Sequence, residues 1–181
     1  MRKIPTLFER NLETWLAYDK VTKGCEWVLK GEGMATRKYD GTACLVKNGK
    51  LYKRYDAKNG KAKPINGIAC IPKPDPITGH WPFWIPVTDK PEDQYYREAF
   101  LQNESDGTYE LCGLKINGNP EGFMTHELIR HGIIKYPQCP RTFDVLKKYL
   151  KDKDIEGIVW HRENGDMCKI KKKDFGFKRR N

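Results

Sequence analysis

The sequence predicts an α+β fold in which antiparallel sheets carry a few helices on their outside. Two Asn-Gly dipeptides, each flanked by strand-like segments, predict tight hairpins, and hairpins build antiparallel ladders. Two other windows place apolar residues at helical spacing. At 181 residues the chain fits one domain, 1–181, with a sizeable core and a basic C-terminal stretch from about 169 onward.

Taken in order, "CEWVLKGEG" and "MATRKYD" read as strands separated by a glycine turn, because valine, tryptophan and tyrosine favour extended backbone. In "TACLVKNGKLYKRYD", Asn48-Gly49 suits a type I′ turn, which needs positive φ at both central residues. That turn sets Lys47 opposite Lys50 and Arg54 opposite Ala43. Residues 64–91 hold seven of the eleven prolines and predict an extended, irregular excursion rather than sheet interior. Within it, Trp81, Phe83 and Trp84 are read as covering a core face, the commoner use of such aromatics than stacking on bases.

"PEDQYYREAFLQN" opens with proline and acidic residues and predicts a helix over about 91–103. "GTYELCGLKINGNPEG" reads as a strand followed by a glycine-rich loop, and "TFDVLKKYLKD" as a helix with Phe143, Leu146 and Leu150 inward. In "DIEGIVWHRENGDMCKIKKKD", a two-residue turn at Asn164-Gly165 predicts Trp160 opposite Lys169 and Ile158 opposite Lys171. One face would then carry Glu156, Ile158, Trp160, Lys169 and Lys171. A carboxylate, an apolar platform and two ammonium groups suit a nucleotide bound with a metal.

The formal charge of +10 and pI near 9.3 favour a polyanionic partner. "CKIKKKDFGFKRRN" sets seven basic residues against one aspartate, a solvated tail or a phosphate-contacting strip. No apolar run approaches the roughly 20 residues of a membrane helix. The N-terminus shows no secretory leader, so the chain is expected inside the cell, in the cytoplasm or alternatively the nucleus. Six cysteines, no two closer than 19 residues, exclude C-x-x-C spacings and read as reduced, mostly buried thiols.

Neither the G-x-x-x-x-G-K-[ST] loop nor G-x-G-x-x-G occurs. "HELIRH" has one residue too many for the zinc motif: on a helix, His126 and His131 would stand about 140° apart. Lys38, Asp40 and Gly41 form K-x-D-G, followed in order by Arg54, Glu110 in "TYELCG", Glu156 in "EGIVW", and Lys169 and Lys171 in "KIK".

With these five motifs the sequence resembles the covalent lysyl-nucleotidyltransferase superfamily of ATP-dependent ligases and mRNA capping guanylyltransferases, over about residues 25–176. "RKYDGT", "TYELCGLKINGNPEG", "RTFDVLKKYL" and "EGIVWH…KIKKKDF" look most like small single-domain RNA ligases related to the vertebrate 5′-to-3′ RNA ligase. The resemblance implies a nucleotidyltransferase domain with no C-terminal oligonucleotide-binding domain, since the chain ends ten residues after Lys171. It implies Lys38 as the nucleophile toward ATP, with neighbouring cations depressing its pKa.

By the same resemblance Asp40 assists metal or water near the lysine, Gly41 lets the backbone approach the nucleotide, and Arg54 contacts ribose or phosphate. Glu110 contacts ribose or metal-bound water, Glu156 holds Mg²⁺ (or Mn²⁺), and Lys169 and Lys171 neutralise the phosphates. Phe123 is a candidate base-stacking aromatic. The expected partner is RNA with 5′-phosphate and 3′-hydroxyl ends, and the expected state a monomer. The alternatives are a DNA ligase or guanylyltransferase of the same superfamily, or a non-catalytic basic nucleic-acid-binding protein.

Overall fold

A computed structural model describes residues 2–58, 61–76 and 78–179. In chain order it runs β1 (Phe8–Arg10), β2 (Ala17–Val21), α1 (Glu26–Leu29), β3 (Met34–Lys38), β4 (Thr42–Lys47), β5 (Lys50–Ala57), β6 (Ile68–Ala69) and β7 (Trp81–Pro86). There follow α2 (Gln94–Ala99), β8 (Gly107–Cys112), β9 (Glu127–Arg130), α3 (Phe143–Asp152), β10 (Gly157–His161) and β11 (Met167–Lys171). Strands dominate and the ladders are antiparallel, as the α+β reading expects. Among the described residues no helix is long and apolar enough to cross a membrane.

The chain forms two compact units: Met1–Lys3 with Asp40–His131, and Ile4–Tyr39 with Gly132–Asn181. The first carries a six-stranded sheet in the order β6-β7-β5-β4-β8-β9. Asn48 and Gly49 have φ of 52° and 67°, so the turn is the type I′ expected, and the β4–β5 ladder runs from Lys47↔Lys50 to Cys44↔Lys53. Cys44, Val46, Leu51, Tyr109 and Leu111 bury one face, against which Ala99 of α2 packs. Alternation puts Tyr52, Arg54 and Asp56 on the opposite face, together with Thr108 and Glu110.

Residues 64–91 correct the expectation of an irregular excursion. β7 is an interior strand between β6 and β5, and Phe83 and Trp84 are buried. Pro82 is tolerated because β6 is two residues long, and the carbonyl of Pro82 still accepts the N–H of Cys70. The 91–103 helix is shorter than predicted: a 3₁₀ turn at Pro91–Asp93 leads into α2, which stops at Ala99.

The second unit holds the sheet β11-β10-β3 and the β1–β2 pair. Its core gathers Leu7, Phe8, Val28, Leu146, Leu150, Ile158, Trp160 and Ile170. The "CEWVLK" segment is a single helical turn, not a strand, bracketed by Gly24 and Gly31 at φ near +90°. Burial of Trp27 and Val28 together in the core overrides their β preference. Five cysteines are buried and all six are free thiols.

The predicted register of the last hairpin is also corrected. Gly165 has φ +85° but Asn164 is not at positive φ, so no type I′ turn forms. The N–H of Arg162 donates to Asp166, which leaves a three-residue loop and the ladder Ile158↔Ile170, Val159↔Lys169, Trp160↔Cys168. A slip of one residue exchanges faces.

Candidate functional site

Three strand ends of the second unit bring Lys38, Glu156 and Lys171 together. On either side of Gly157 in the central strand β10 lie Lys38 of β3 and Lys171 of β11. Opposed residues share a face, so the two lysines emerge on one side of the sheet. Glu156, just before β10, turns its carboxylate between them: Oε1 accepts from Lys171 Nζ at 2.5 Å and Oε2 pairs with Lys38 Nζ. Lys38 Nζ also donates to the Tyr39 carbonyl at 3.2 Å.

Only 8% of Glu156 is exposed. Burial is the largest influence on its carboxyl and pushes it up, but the charges of Lys38 and Lys171 together outweigh burial and hold it below the usual range. Lys169 lies beside Val159 on the same face, where the charges of Glu156 and Asp174 only partly offset the effects that lower its pKa. Burial, then the charges of Lys171 and Lys38, pull its amine down to about 8.

Ile158 does not lie beneath this cluster. It is fully buried on the opposite face with Trp160, Cys168 and Ile170, because of the register slip, so the residue at the predicted platform is Val159. The 169–181 stretch is no free tail at its start: Lys169–Lys171 are sheet, and Lys172, Asp174 and Phe175 are buried in a 3₁₀ turn. Arg180 and Asn181 lie outside the described residues.

Asp40, Gly41, Arg54 and Glu110 belong to the first unit. Glu110 accepts the Gly41 N–H at Oε1 (3.2 Å) and the His131 Nε2–H at Oε2 (2.8 Å). A Cβ at Gly41 would stand 2.1 Å from the Leu111 carbonyl, so contact with β8 is what excludes a side chain there. The glycine-rich loop holds the same segment. Asn117 Nδ2 donates to Asp40 Oδ1 (3.2 Å) and the Gly41 carbonyl (2.9 Å), and Glu121 Oε1 accepts the Asp40 N–H (2.8 Å). Arg54 Nε donates to Asp56 Oδ1 at 3.0 Å, with its guanidinium 5.7 Å from the Trp84 ring centroid.

His131, Asn117 and Glu121 escape the sequence reading. The one signal for His131 was "HELIRH", read there for a helix; the segment is β9, which puts His131 diagonal to Glu110 across the ladder. Phe123 sits half-buried in the loop, its N–H donating to Asn119.

Among the described residues no group of three or more His, Cys, Asp or Glu side chains is placed to hold a metal. A fully protein-made cage is therefore not supported. Mg²⁺ is commonly held through one or two carboxylates plus water and substrate phosphates, and the single carboxylate of Glu156 fits that mode.

A sequence model of the RNA ligase 1 family matches residues 97–180, which include Glu110, Glu156, Lys169 and Lys171. RNA ligase 1 of Pongo abelii is 30% identical over 152 residues, covering 64% of this chain and 46% of the relative. RNA ligase 1 of Danio rerio is 28% identical over 137 residues (55% and 42%), and that of Mus musculus 27% over 220 residues (79% and 67%). The chain spans about half the length of the first two relatives. Over these stretches the chain is similar to proteins named RNA ligase 1.

Proposed function

We propose that the chain is an ATP-dependent RNA ligase that joins a 5′-phosphate end to a 3′-hydroxyl end through a lysyl-AMP intermediate. The observation that carries the reading is the Lys38–Glu156–Lys171 cluster on three adjacent strand ends, in a chain similar to proteins named RNA ligase 1. In this reading the Lys38 amine attacks the α-phosphorus of ATP and pyrophosphate leaves. AMP then passes to the RNA 5′-phosphate, and a 3′-hydroxyl attacks that end and expels AMP.

In the ligand-free arrangement the Lys38 amine is paired with the Glu156 carboxylate. To attack phosphorus the amine must leave this pairing and give its proton to solvent. Glu156 would hold Mg²⁺ or Mn²⁺, and the ion would supply charge neutralisation at the phosphates. Lys169 and Lys171 stabilise charge developing on the transferred phosphorus, the term that dominates phosphoryl transfer. Asp40, Gly41, Arg54 and Glu110 take the nucleotide contacts that the resemblance assigns them.

Incubation with α-labelled ATP and Mg²⁺, followed by a denaturing gel, tests the reading. Wild type acquires covalent label and Lys38→Ala does not. A non-catalytic RNA-binding protein stays unlabelled in both forms. Labelling by GTP in place of ATP would move the chain to guanylyltransferase chemistry, and sealing of DNA ends but not RNA ends to DNA ligation.

A further inference from the structure

The first unit carries a cavity of about 310 Å³ lined by Arg2, Lys3, Arg54, Asp56, Ile71, Asp75, His80 and Pro82. Its floor is the outer face of the six-stranded sheet. Arg54 and Asp56 project from β5 on the face that carries Glu110, and Pro82 of β7 pairs with Asp56. The loop before β7 brings Ile71, Asp75 and His80, and the N-terminal residues Arg2 and Lys3 complete the lining. The volume lies at the small end of ligand sites, roughly 300–1,000 Å³, and suits a phosphate with part of its nucleotide.

Arg2, Lys3 and Arg54 face Asp56 and Asp75, an excess of one positive charge, with Arg54 paired to Asp56. Both carboxylates are engaged within the wall: Asp56 Oδ1 accepts from Arg54 Nε at 3.0 Å, and Asp75 Oδ1 accepts the N–H and hydroxyl of Thr78 at 2.7 and 2.9 Å. A cavity so lined concentrates positive potential and selects an anion. Guanidinium and ammonium groups together are the donors that recognise phosphate oxygens.

We propose that this cavity is the site for the 5′-terminal phosphate of the RNA substrate, with Lys3 and Arg2 as binding residues that no sequence motif marks. The inference rests on the ligase reading for the identity of the RNA, but its test does not. ATP's own phosphates share the same chemistry, and the experiment separates the two sources.

Fluorescence anisotropy is measured with the full chain and two RNA oligonucleotides of one sequence, one 5′-phosphorylated and one 5′-hydroxyl. The Lys38→Ala background keeps RNA binding free of adenylylation. The expected result is tighter binding of the phosphorylated RNA by about tenfold, the preference falling to near unity in Lys3→Ala and weakening in His80→Ala. Self-labelling of the protein by α-labelled ATP, measured without RNA, stays unchanged when either variant is made in the Lys38 protein. Equal binding of both RNAs by the parent chain overturns the proposal, as does a preference that survives both substitutions. A raised ATP requirement for labelling in Lys3→Ala, with the RNA preference intact, overturns it in favour of the triphosphate. Failure of the parent chain to label at all refutes the ligase reading while leaving the phosphate preference standing.

Discussion

Replacing Glu156 by glutamine keeps the shape of the side chain and removes the charge that separates Lys38 from Lys171. No cavity is created, so the effect is electrostatic. Removing one partner of a buried ion pair costs about 3–5 kcal/mol, because the remaining charge is left uncompensated. Here the two lysine side chains retain 18% and 22% exposure, so solvent screens part of the lost pairing and the expected loss lies near the lower bound, about 3 kcal/mol at pH 7.

The pH dependence is distinctive. The folded-state pKa of Glu156 lies below its unfolded value of 4.5, so its contribution is present above that pH and vanishes as pH falls through the folded value. The gap between wild type and Glu156→Gln therefore closes in acid. Urea unfolding followed by tryptophan fluorescence from pH 3 to 7 measures the gap. A gap under about 0.5 kcal/mol at pH 7, or one unchanged at pH 3, refutes the electrostatic account.

Lys169→Met is expected to stabilise the fold at pH 7 by up to about 3 kcal/mol, since an amine drawn from 10.5 to about 8 penalises the folded state. That penalty is complete below pH 8 and relieved as pH rises toward 10.5, so urea midpoints of the two proteins should converge in that window. Asp93 is fully buried, pairs with Lys53 and accepts the N–H and hydroxyl of Thr88 at 2.8 and 2.9 Å; Asp93→Ala should cost about 3–5 kcal/mol, read as a lowered melting temperature. Asn117→Ala removes both hydrogen bonds to Asp40 and Gly41 and should cost about 1–2 kcal/mol. If the clamp positions the K-x-D-G segment, adenylylation in Asn117→Ala falls about tenfold, one step of about 1.4 kcal/mol in the barrier. Asn117→Gln, with the same amide on a longer arm, recovers part of that rate.

How far the sequence could be read followed from how local each signal was. Asn48-Gly49 set its hairpin register because two adjacent residues contain all the information a type I′ turn needs. The same dipeptide at Asn164-Gly165 misled: only the glycine took positive φ, and the loop gained a residue. Lys169 and Lys171 stayed on one face of β11 under either register, since they are two residues apart, whereas Ile158 crossed to the core. The helical turn at Glu26–Leu29 and the interior strand β7 depend on long-range burial, which a local propensity does not contain. His131 could be reached only through the β8–β9 pairing, and Asn117 only through a loop closing on Asp40, 77 positions away in sequence.

Two acidic-glycine steps show how backbone packing supports the charged groups. A Cβ on Gly157 would fall 2.1 Å from the Ile170 carbonyl, as one on Gly41 would from that of Leu111. Neither glycine needs positive φ, so what each position requires is the absence of a side chain, which allows two strands to close. Gly157 is the residue flanked by Lys38 and Lys171, and the close approach of β11 there brings Lys171 within reach of the carboxylate that precedes it. In Asp40-Gly41 the approach to β8 lets the Gly41 N–H donate to Glu110. The glycines beside these carboxylates thus act through strand spacing, and the charged groups inherit their separations from the sheets rather than from flexible side chains finding one another.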